Sequence, residues 1–179
     1  TQNSAAVTFS GKPSSFDKGL VIQAVSGLDI QQPVVTRLDP ISIVTGAGAE
    51  VSIGLSGSLL TTNQALQIST DGFDLQGQLN SGIATINIEC VTAGRTLGLG
   101  DGAGGEMALS TSETQQLATT GGITIGGTTC GSVTVDGADT SSVGSNFTIA
   151  ALRPNAQVAF QNTDSAFYEL IVNADQQVS

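Results

Sequence analysis

Apolar residues recur along the chain in a short unit. In each unit, two apolar residues flank one small or polar residue, and glycine, asparagine, aspartate or serine follows. This alternation is typical of a half-buried β-strand, whose successive side chains point to opposite faces. The units are Val7/Phe9, Ile41/Ile43, Val51/Ile53/Leu55, Leu66/Ile68, Phe73/Leu75, Ile86/Ile88, Leu97/Leu99, Met107/Leu109, Ile123/Ile125, Val133/Val135, Phe147/Ile149, Val158/Phe160 and Leu170/Val172. The pattern predicts many short strands joined by tight turns.

In the second half of the chain these units form two interleaved series that share a step of about 25 residues. One series consists of the units that begin at Leu97, Ile123, Phe147 and Leu170. The other consists of the units that begin at Met107, Val133 and Val158. A β-sandwich has no reason to keep such a step, whereas a coil of parallel strands repeats once per turn. The sequence therefore predicts an all-β chain folded as a right-handed parallel β-helix, or β-solenoid.

Two segments depart from the repeat. Near residues 110–120, Ser110 and Glu113 have the spacing of a capping box, which predicts a short helical insert projecting from the coil, with Leu117 facing inward. Residues 1–60 contain three prolines and a less regular pattern. We therefore expect an irregular start of the solenoid, or an N-terminal β region, at 1–60 and regular coils at 61–179, in one continuous domain of a longer chain.

Composition supports this fold and excludes some functions. The chain of 179 residues has 23 glycines and only 4% aromatic residues, which suits short strands with sharp corners. Its formal net charge is −10, and its five basic residues are scattered. Nucleic-acid binding and insertion into a membrane are therefore not expected.

The residues that carry chemistry are few. The absence of histidine excludes Ser/His/Asp and Cys/His nucleophile systems, so we expect no enzyme, no catalytic residue and no cofactor. Cys90 and Cys130 are candidates for a disulfide if the compartment is oxidising. Asn146 begins an N-glycosylation tripeptide, Asn-Phe-Thr.

Some acidic residues could belong either to a functional site or to a turn of the solenoid. Residues 98–105 with Asp101 and Glu106 offer a partial calcium turn, but a solenoid corner is favoured because the motif occurs once. Residues 162–164 resemble one short motif of the polygalacturonase family, which leaves Asp164 as a catalytic alternative to a polar corner. Two further pairs of acids, Asp71/Asp74 and Asp136/Asp139, lie next to apolar strands, and we interpret them as turn caps.

Four stretches resemble repeats of giant filamentous-haemagglutinin-like bacterial surface proteins. They are residues 96–105 (TLGLGDGAGG), 122–126 (GITIG), 131–137 (GSVTVDG) and 167–174 (FYELIVNA). The resemblance implies a long right-handed parallel β-helix that is exported and displayed on a cell surface or built into an extracellular fibre. Cys90 and Cys130 depart from that pattern, since such repeats normally carry small residues or serine there.

Together these observations predict a structural or adhesive segment of a secreted, repetitive cell-surface or extracellular filament protein. Its expected partners are further copies, associated end to end into filaments, or other surface proteins and glycans. The alternative is a polysaccharide-acting or carbohydrate-binding protein on the same fold, which would need a groove with grouped acids.

Overall fold

The chain folds as a parallel β-solenoid of about seven turns, as the sequence predicted. The computed structural model describes residues 6–179, so residues 1–5 of the predicted 1–60 region lie outside the described residues. Within residues 6–179, all strand pairs are parallel. The first four coils consist of three strands each, separated by corners, and the last two coils have only two strands each.

The strands of the described residues form four sheets, named here A to D. Sheet A contains β1 (Val7–Phe9), β4 (Leu28–Ile30), β7 (Glu50–Ile53) and β10 (Gly72–Leu75). Sheet B contains β2 (Ser14–Phe16), β5 (Pro33–Thr36), β8 (Ser58–Thr61), β11 (Gln78–Gly82) and β15 (Leu117–Thr119). Sheet C contains β3 (Leu20–Ala24), β6 (Ile41–Thr45), β9 (Leu66–Ser69), β12 (Ile86–Glu89), β16 (Ile123–Gly127), β18 (Asn146–Ala151) and β20 (Glu169–Ala174). Sheet D contains β14 (Met107–Leu109), β13 (Leu97–Leu99), β17 (Val133–Val135) and β19 (Val158–Phe160).

The register corrects part of the predicted repeat. Ile123, Phe147 and Leu170 are register partners, with steps of 24 and 23 residues (123 to 147 to 170). Leu97 does not belong to that series, because it lies in sheet D and pairs with Val133. Met107 is likewise separated from Val133 by β13, which lies between β14 and β17. The spacing misled here because Leu97 and Ile123 are separated in sequence by about one coil although they lie in different sheets, and because β13 and β14 are stacked in reversed order.

Strands before residue 61 stack in the same way as those that follow. Leu20 pairs with Ile41, and Ile41 pairs with Leu66. The inward residues of each coil therefore align into columns of apolar side chains along the axis. Their burial, as for Ile41 and Ile86 at 0% exposure, is the main source of stability. Leu55 is an exception to the predicted unit, because it lies at a corner and is 83% exposed.

Buried hydroxyl groups lie at or next to the ends of four of the five strands of sheet B. Thr36, Thr61, Ser81 and Thr119 occupy this position, and all four are buried. The Thr36 hydroxyl donates to the Asp39 carbonyl at 3.3 Å, and the Ser81 hydroxyl donates to the Ala84 carbonyl at 2.6 Å. Each hydroxyl satisfies a carbonyl that the turn would otherwise leave without a backbone partner.

One strand is placed out of sequence order. After β12 the chain forms β13 and loops back to the start of that strand. It then forms β14, which is parallel to β13 and lies between β13 and β10. Strand β14 packs beside β10 but belongs to a different hydrogen-bonded sheet, so sheets A and D are separate. The face that these two sheets share therefore contains a break, whereas sheet C is continuous.

The predicted short helical insert near residues 110–120 is present. Helix α1 covers Thr111–Thr114, with Ser110 as N-cap and the capping box with Glu113 formed. Leu117 is buried, as predicted, but it lies in strand β15. The helix replaces a corner instead of projecting, because Thr114 is buried. A 3₁₀ helix covers Ser141–Val143. No helix in the described part of the chain has the length and apolarity to cross a membrane.

Candidate functional site

A disulfide encloses the part of the solenoid that we call the irregular coil, residues 91–129, which contains β13, β14, α1, β15 and β16. Cys90 and Cys130 are joined, with Cα atoms 5.1 Å apart, and both residues are buried. Cys90 follows β12 and Cys130 follows β16, so the bridge ties one coil to the next at the corner after sheet C. The Cys90 amide also donates to the Cys130 sulfur at 2.9 Å. Strands β13 and β14, which are stacked in reversed order, both lie in the loop that this bridge closes.

Asp71 ties three successive coils at the same corner. Its side chain is fully buried and accepts hydrogen bonds from the Gly48 amide below (2.7 Å) and the Thr92 amide above (2.7 Å). The Thr92 hydroxyl and the Val91 amide also donate to it. Burial acts to raise the pKa of Asp71, but the bonds from Gly48 and Thr92 outweigh it and lower the pKa.

The backbone of Asp71 is used as well. The Arg95 Nε atom donates to the Asp71 carbonyl, and Arg95 Nη2 donates to the Glu106 carbonyl at 2.9 Å. Arg95 therefore connects the corner to the loop that follows β13. Aspartate fits this position because its two oxygens accept four donors from neighbouring coils, which a neutral side chain of this size cannot do.

The glycine-rich run is a return loop between β13 and β14. It crosses the outer side of β13, where a Cβ at Gly98 would lie 3.0 Å from the Ala103 carbonyl. Gly100 adopts φ +103°, and a Cβ there would lie 2.3 Å from the Asp136 carbonyl. Glycine is therefore required by close backbone approach as well as by conformation.

The two acidic side chains of this loop accept hydrogen bonds from backbone amides of the same chain. Asp101 accepts from the Thr111 amide at 2.8 Å, and Glu106 accepts from the Thr96 amide at 3.0 Å. These contacts close the loop and support the start of α1. They match the interpretation of residues 98–105 as a structural connection, although the predicted corner is in fact a strand-to-strand return.

A shallow cleft lies at the break between sheets A and D. It encloses about 520 Å³ and is lined by Asp74, Glu113 and neighbouring residues of β10 and α1. The Leu75 amide, at the broken edge of sheet A, donates to Glu113 Oε1 at 3.0 Å instead of to a strand. Glu50 is close by, and its pKa is raised by burial and then by the charges of Asp74 and Glu113.

A second carboxylate tie lies at the corner after β17. Asp136 is 3% exposed and accepts from the Thr163 amide at 2.8 Å and the Asn162 Nδ2 atom at 3.1 Å. The Thr163 and Asn162 bonds lower the pKa of Asp136. Bonds from the Ser141 hydroxyl and amide likewise lower the pKa of Asp139.

Asp164, the catalytic alternative considered from the sequence, lies in a different setting from Asp136. It is exposed beside a surface depression of about 360 Å³ that also includes Asn162 and Thr163. Those two residues orient Asp136, so most of the short motif serves a corner.

Asn146 is the first residue of β18 and is half-buried. Its side-chain oxygen lies where a Cβ on Gly122 would come within 2.5 Å, so the carboxamide packs on Gly122. Glycosylation of Asn146 stays a prediction. Among residues 6–179, no group of three or more histidine, cysteine or acidic side chains is arranged to hold a metal ion.

Sequence reasoning identified the acids but missed what they bind. The acid at position 71 was paired with Asp74, whereas the two point to different surroundings, a buried corner and an open cleft. Arg95 was overlooked because a single basic residue has no pattern. The one indication in the sequence was that Arg95 lies five residues after Cys90, in the same segment between two strands.

Comparisons with known proteins returned no matching family model, no similar curated protein and no similar solved structure. The β-solenoid implied by the filamentous-haemagglutinin-like resemblance is present. The family itself is not identified by these comparisons, so the class of protein defined here is a parallel β-solenoid with tied coils.

Proposed function

We propose that the chain is a structural and adhesive segment of a secreted, repetitive cell-surface or extracellular filament protein. The observation that carries this proposal is the tying of successive coils: Asp71 joins three of them, and Cys90–Cys130 joins two. Such ties oppose separation of the coils along the axis, which is the direction in which a rod is loaded. The mechanism is mechanical, because each coil depends on its neighbours for burial.

Two further features support an extracellular setting. Structural disulfides persist in oxidising compartments, and this one is buried in the core. The formal charge of −10 keeps the surface of a rod hydrated and disfavours non-specific aggregation.

Immunogold electron microscopy of the source cells tests the proposal. Antibodies raised against the folded chain are applied to intact and to permeabilised cells. Surface or filament labelling of intact cells is the expected result. Labelling that requires permeabilisation would overturn the proposal.

A carbohydrate-acting or carbohydrate-binding role is the second candidate. It is favoured by the cleft at the break between sheets A and D, which Asp74 and Glu113 line and near which the pKa of Glu50 is raised. A carboxyl group with a raised pKa that lies close to further carboxyl groups is the arrangement that glycoside hydrolysis uses.

This candidate is tested by incubating the chain with a panel of polysaccharides and measuring binding by calorimetry and new reducing ends. Asp74→Asn is the test variant. Asp29→Asn is the matched control, because Asp29 lies on the same sheet outside the cleft. Binding or cleavage that Asp74→Asn abolishes and Asp29→Asn preserves would favour this role, and no binding by the unmodified chain would refute it.

A further inference from the structure

We propose that a surface depression beside Arg153 binds the carboxylate of an acidic sugar, such as a uronate residue of a glycan. This inference rests on the adhesive function proposed above and names a ligand for it. The residues that carry it lie inside the stack of coils, at the corner between sheets C and D.

The depression spans three successive coils. Its residues come from the segments between β12 and β13, between β16 and β17, and between β18 and β19. The three sheet D strands that follow these segments are neighbours. The depression encloses about 460 Å³, and sites for small ligands typically enclose about 300 to 1,000 Å³. It therefore has room for one sugar residue.

Within residues 6–179, Arg153 is the arginine that has no partner. Arg37 forms an ion pair with Asp17 at 3.1 Å, and Arg95 donates to two backbone carbonyls. The Arg153 side chain forms neither an ion pair nor a hydrogen bond with these residues. Its five N–H donors are therefore free to bind a ligand.

The turn that carries Arg153 is held in place. The Ala156 amide donates to the Arg153 carbonyl at 2.9 Å, proline follows Arg153, and Asn155 adopts φ +69°, as in a type II turn. The next coil fixes this turn, because Asp175 accepts from the Asn155 amide at 2.9 Å. Gln176 Nε2 also donates to the Asn155 side-chain oxygen at 3.2 Å.

The Arg153 side chain lies back across the corner. A Cβ on Gly94 would lie 2.5 Å from Arg153 Nη1, so the guanidinium lies against the backbone two coils earlier in the stack. Gly131 lies over Gly94, and a Cβ there would come within 2.4 Å of the Gly94 carbonyl. Neither position has a side chain that would fill the depression. A donor that is already in place loses less conformational entropy when a ligand binds.

The groups around Arg153 favour a sugar acid over a bare anion. The planar guanidinium can donate two parallel hydrogen bonds to a carboxylate. The Ser132 hydroxyl accepts from the Gln157 amide at 3.2 Å and keeps its own proton to donate, and Thr96 lines the same depression. These hydroxyl groups can bind the ring hydroxyls of a sugar whose carboxylate lies on Arg153.

Charge favours a ligand with a single negative charge. The formal net charge of −10 repels multiply charged anions. Two carboxylates bind residues of the depression, and both accept from backbone amides: Glu106 from Thr96 at 3.0 Å and Asp175 from Asn155 at 2.9 Å. Neither forms an ion pair with Arg153, so its charge is left for the ligand.

A titration followed by amide NMR spectra of the folded chain tests the site. The probes are sodium glucuronate, glucose as the neutral sugar and inorganic sulfate as the bare anion. We expect glucuronate to shift the amide signals of Gly94, Gly131 and Asn155, with a Kd on the order of 1 mM. Glucose and sulfate should bind at least tenfold more weakly.

Arg153→Gln is the test variant and should weaken glucuronate binding at least tenfold, because it removes both the charge and the planar pair of donors. Its melting temperature should stay unchanged, since the side chain has no hydrogen bond to lose within the described residues. Arg37→Gln is the matched control. It removes an exposed arginine that already has a carboxylate partner, and it should leave glucuronate binding unchanged.

Four results would overturn the proposal. The first is an unmodified chain that does not bind glucuronate, and the second is a folded Arg153→Gln variant that binds it equally well. The third is sulfate binding as tight as glucuronate binding, because the site would then hold an anion without recognising the sugar. The fourth is glucuronate binding that Asp74→Asn abolishes and Arg153→Gln preserves, because the ligand would then lie in the cleft between sheets A and D.

The proposed function and this site can fail separately. Surface labelling of intact cells by a chain that does not bind glucuronate would leave the proposed function standing and refute only the site. Glucuronate binding by a chain found only inside cells would do the reverse.

Discussion

Removal of the Cys90–Cys130 disulfide gives a direct measure of how the irregular coil is held. The bridge has a sequence separation of 40 residues, and the loop includes β13, its return loop, β14, α1 and β15. In the chain-entropy model, a cross-link over this separation restricts the unfolded chain by about 4 kcal/mol at 25 °C. We expect the Cys90→Ala/Cys130→Ala variant to lose about that much free energy of unfolding.

Urea unfolding followed by circular dichroism is the assay, with the slope compared between variants to confirm that the same surface is exposed. Alanine is chosen because Ala24 and Ala151 end other strands of sheet C at the same corner. The matched control is the unmodified chain unfolded in reductant, which retains both side chains and lacks only the bond. Its stability should approach that of the double variant.

Two outcomes would refute this reasoning. A loss below about 1 kcal/mol would mean that the two segments stay close in the unfolded chain, so that the bond restricts little. A large loss in the alanine variant without a loss in the reduced chain would assign the effect to packing of the sulfur atoms, and not to loop closure.

Three further predictions follow from the same region. Asp71→Asn should lose roughly 2 to 4 kcal/mol in urea unfolding, because an amide NH₂ would face donors that need an acceptor. Because the pKa of Asp71 is lowered by folding, its stabilisation is present above about pH 4 and is lost as pH falls through the folded pKa. The unfolding free energy of Asp71→Asn should therefore fall less than that of the unmodified chain between roughly pH 5 and pH 2. Gly100→Ala should lower the melting temperature markedly, whereas Gly104→Ala, whose Cβ would meet nothing within 4 Å, should change it by no more than about 1 °C. Glu113→Ala should cost about 1 to 3 kcal/mol in urea unfolding by orphaning the Leu75 amide, and the exposed Ser112→Ala should cost less than about 0.5. Equal effects within either pair would contradict the contacts assigned here.

The sheet B strands show where sequence reading fails. They were not predicted, and four of the five have one inward apolar residue followed by an inward hydroxyl, as in Leu59/Thr61 and Leu79/Ser81. The alternation rule counts threonine and serine as polar and therefore as outward. Here the hydroxyl is buried because it bonds a turn carbonyl, which depends on how the chain bends three residues later.

The sequence alone determined the elements that depend on local chemistry. Apolar alternation placed all the strands of sheet D and all but β4 of sheet A and β3 of sheet C, and the Ser110–Glu113 spacing placed the helix cap. Both signals come from residues a few positions apart. The step of 24 and 23 residues in the last coils was also readable, since stacking demands one apolar pair per turn.

Only the tertiary structure decided the order of β13 and β14, the break between sheets A and D, and the partners of Asp71. A three-residue strand such as Leu97–Leu99 is short enough to pair at any level of the solenoid. Its position is therefore decided by contacts with residues far away in sequence. The same holds for a buried carboxylate, whose donors come from coils about 20 residues before and after it.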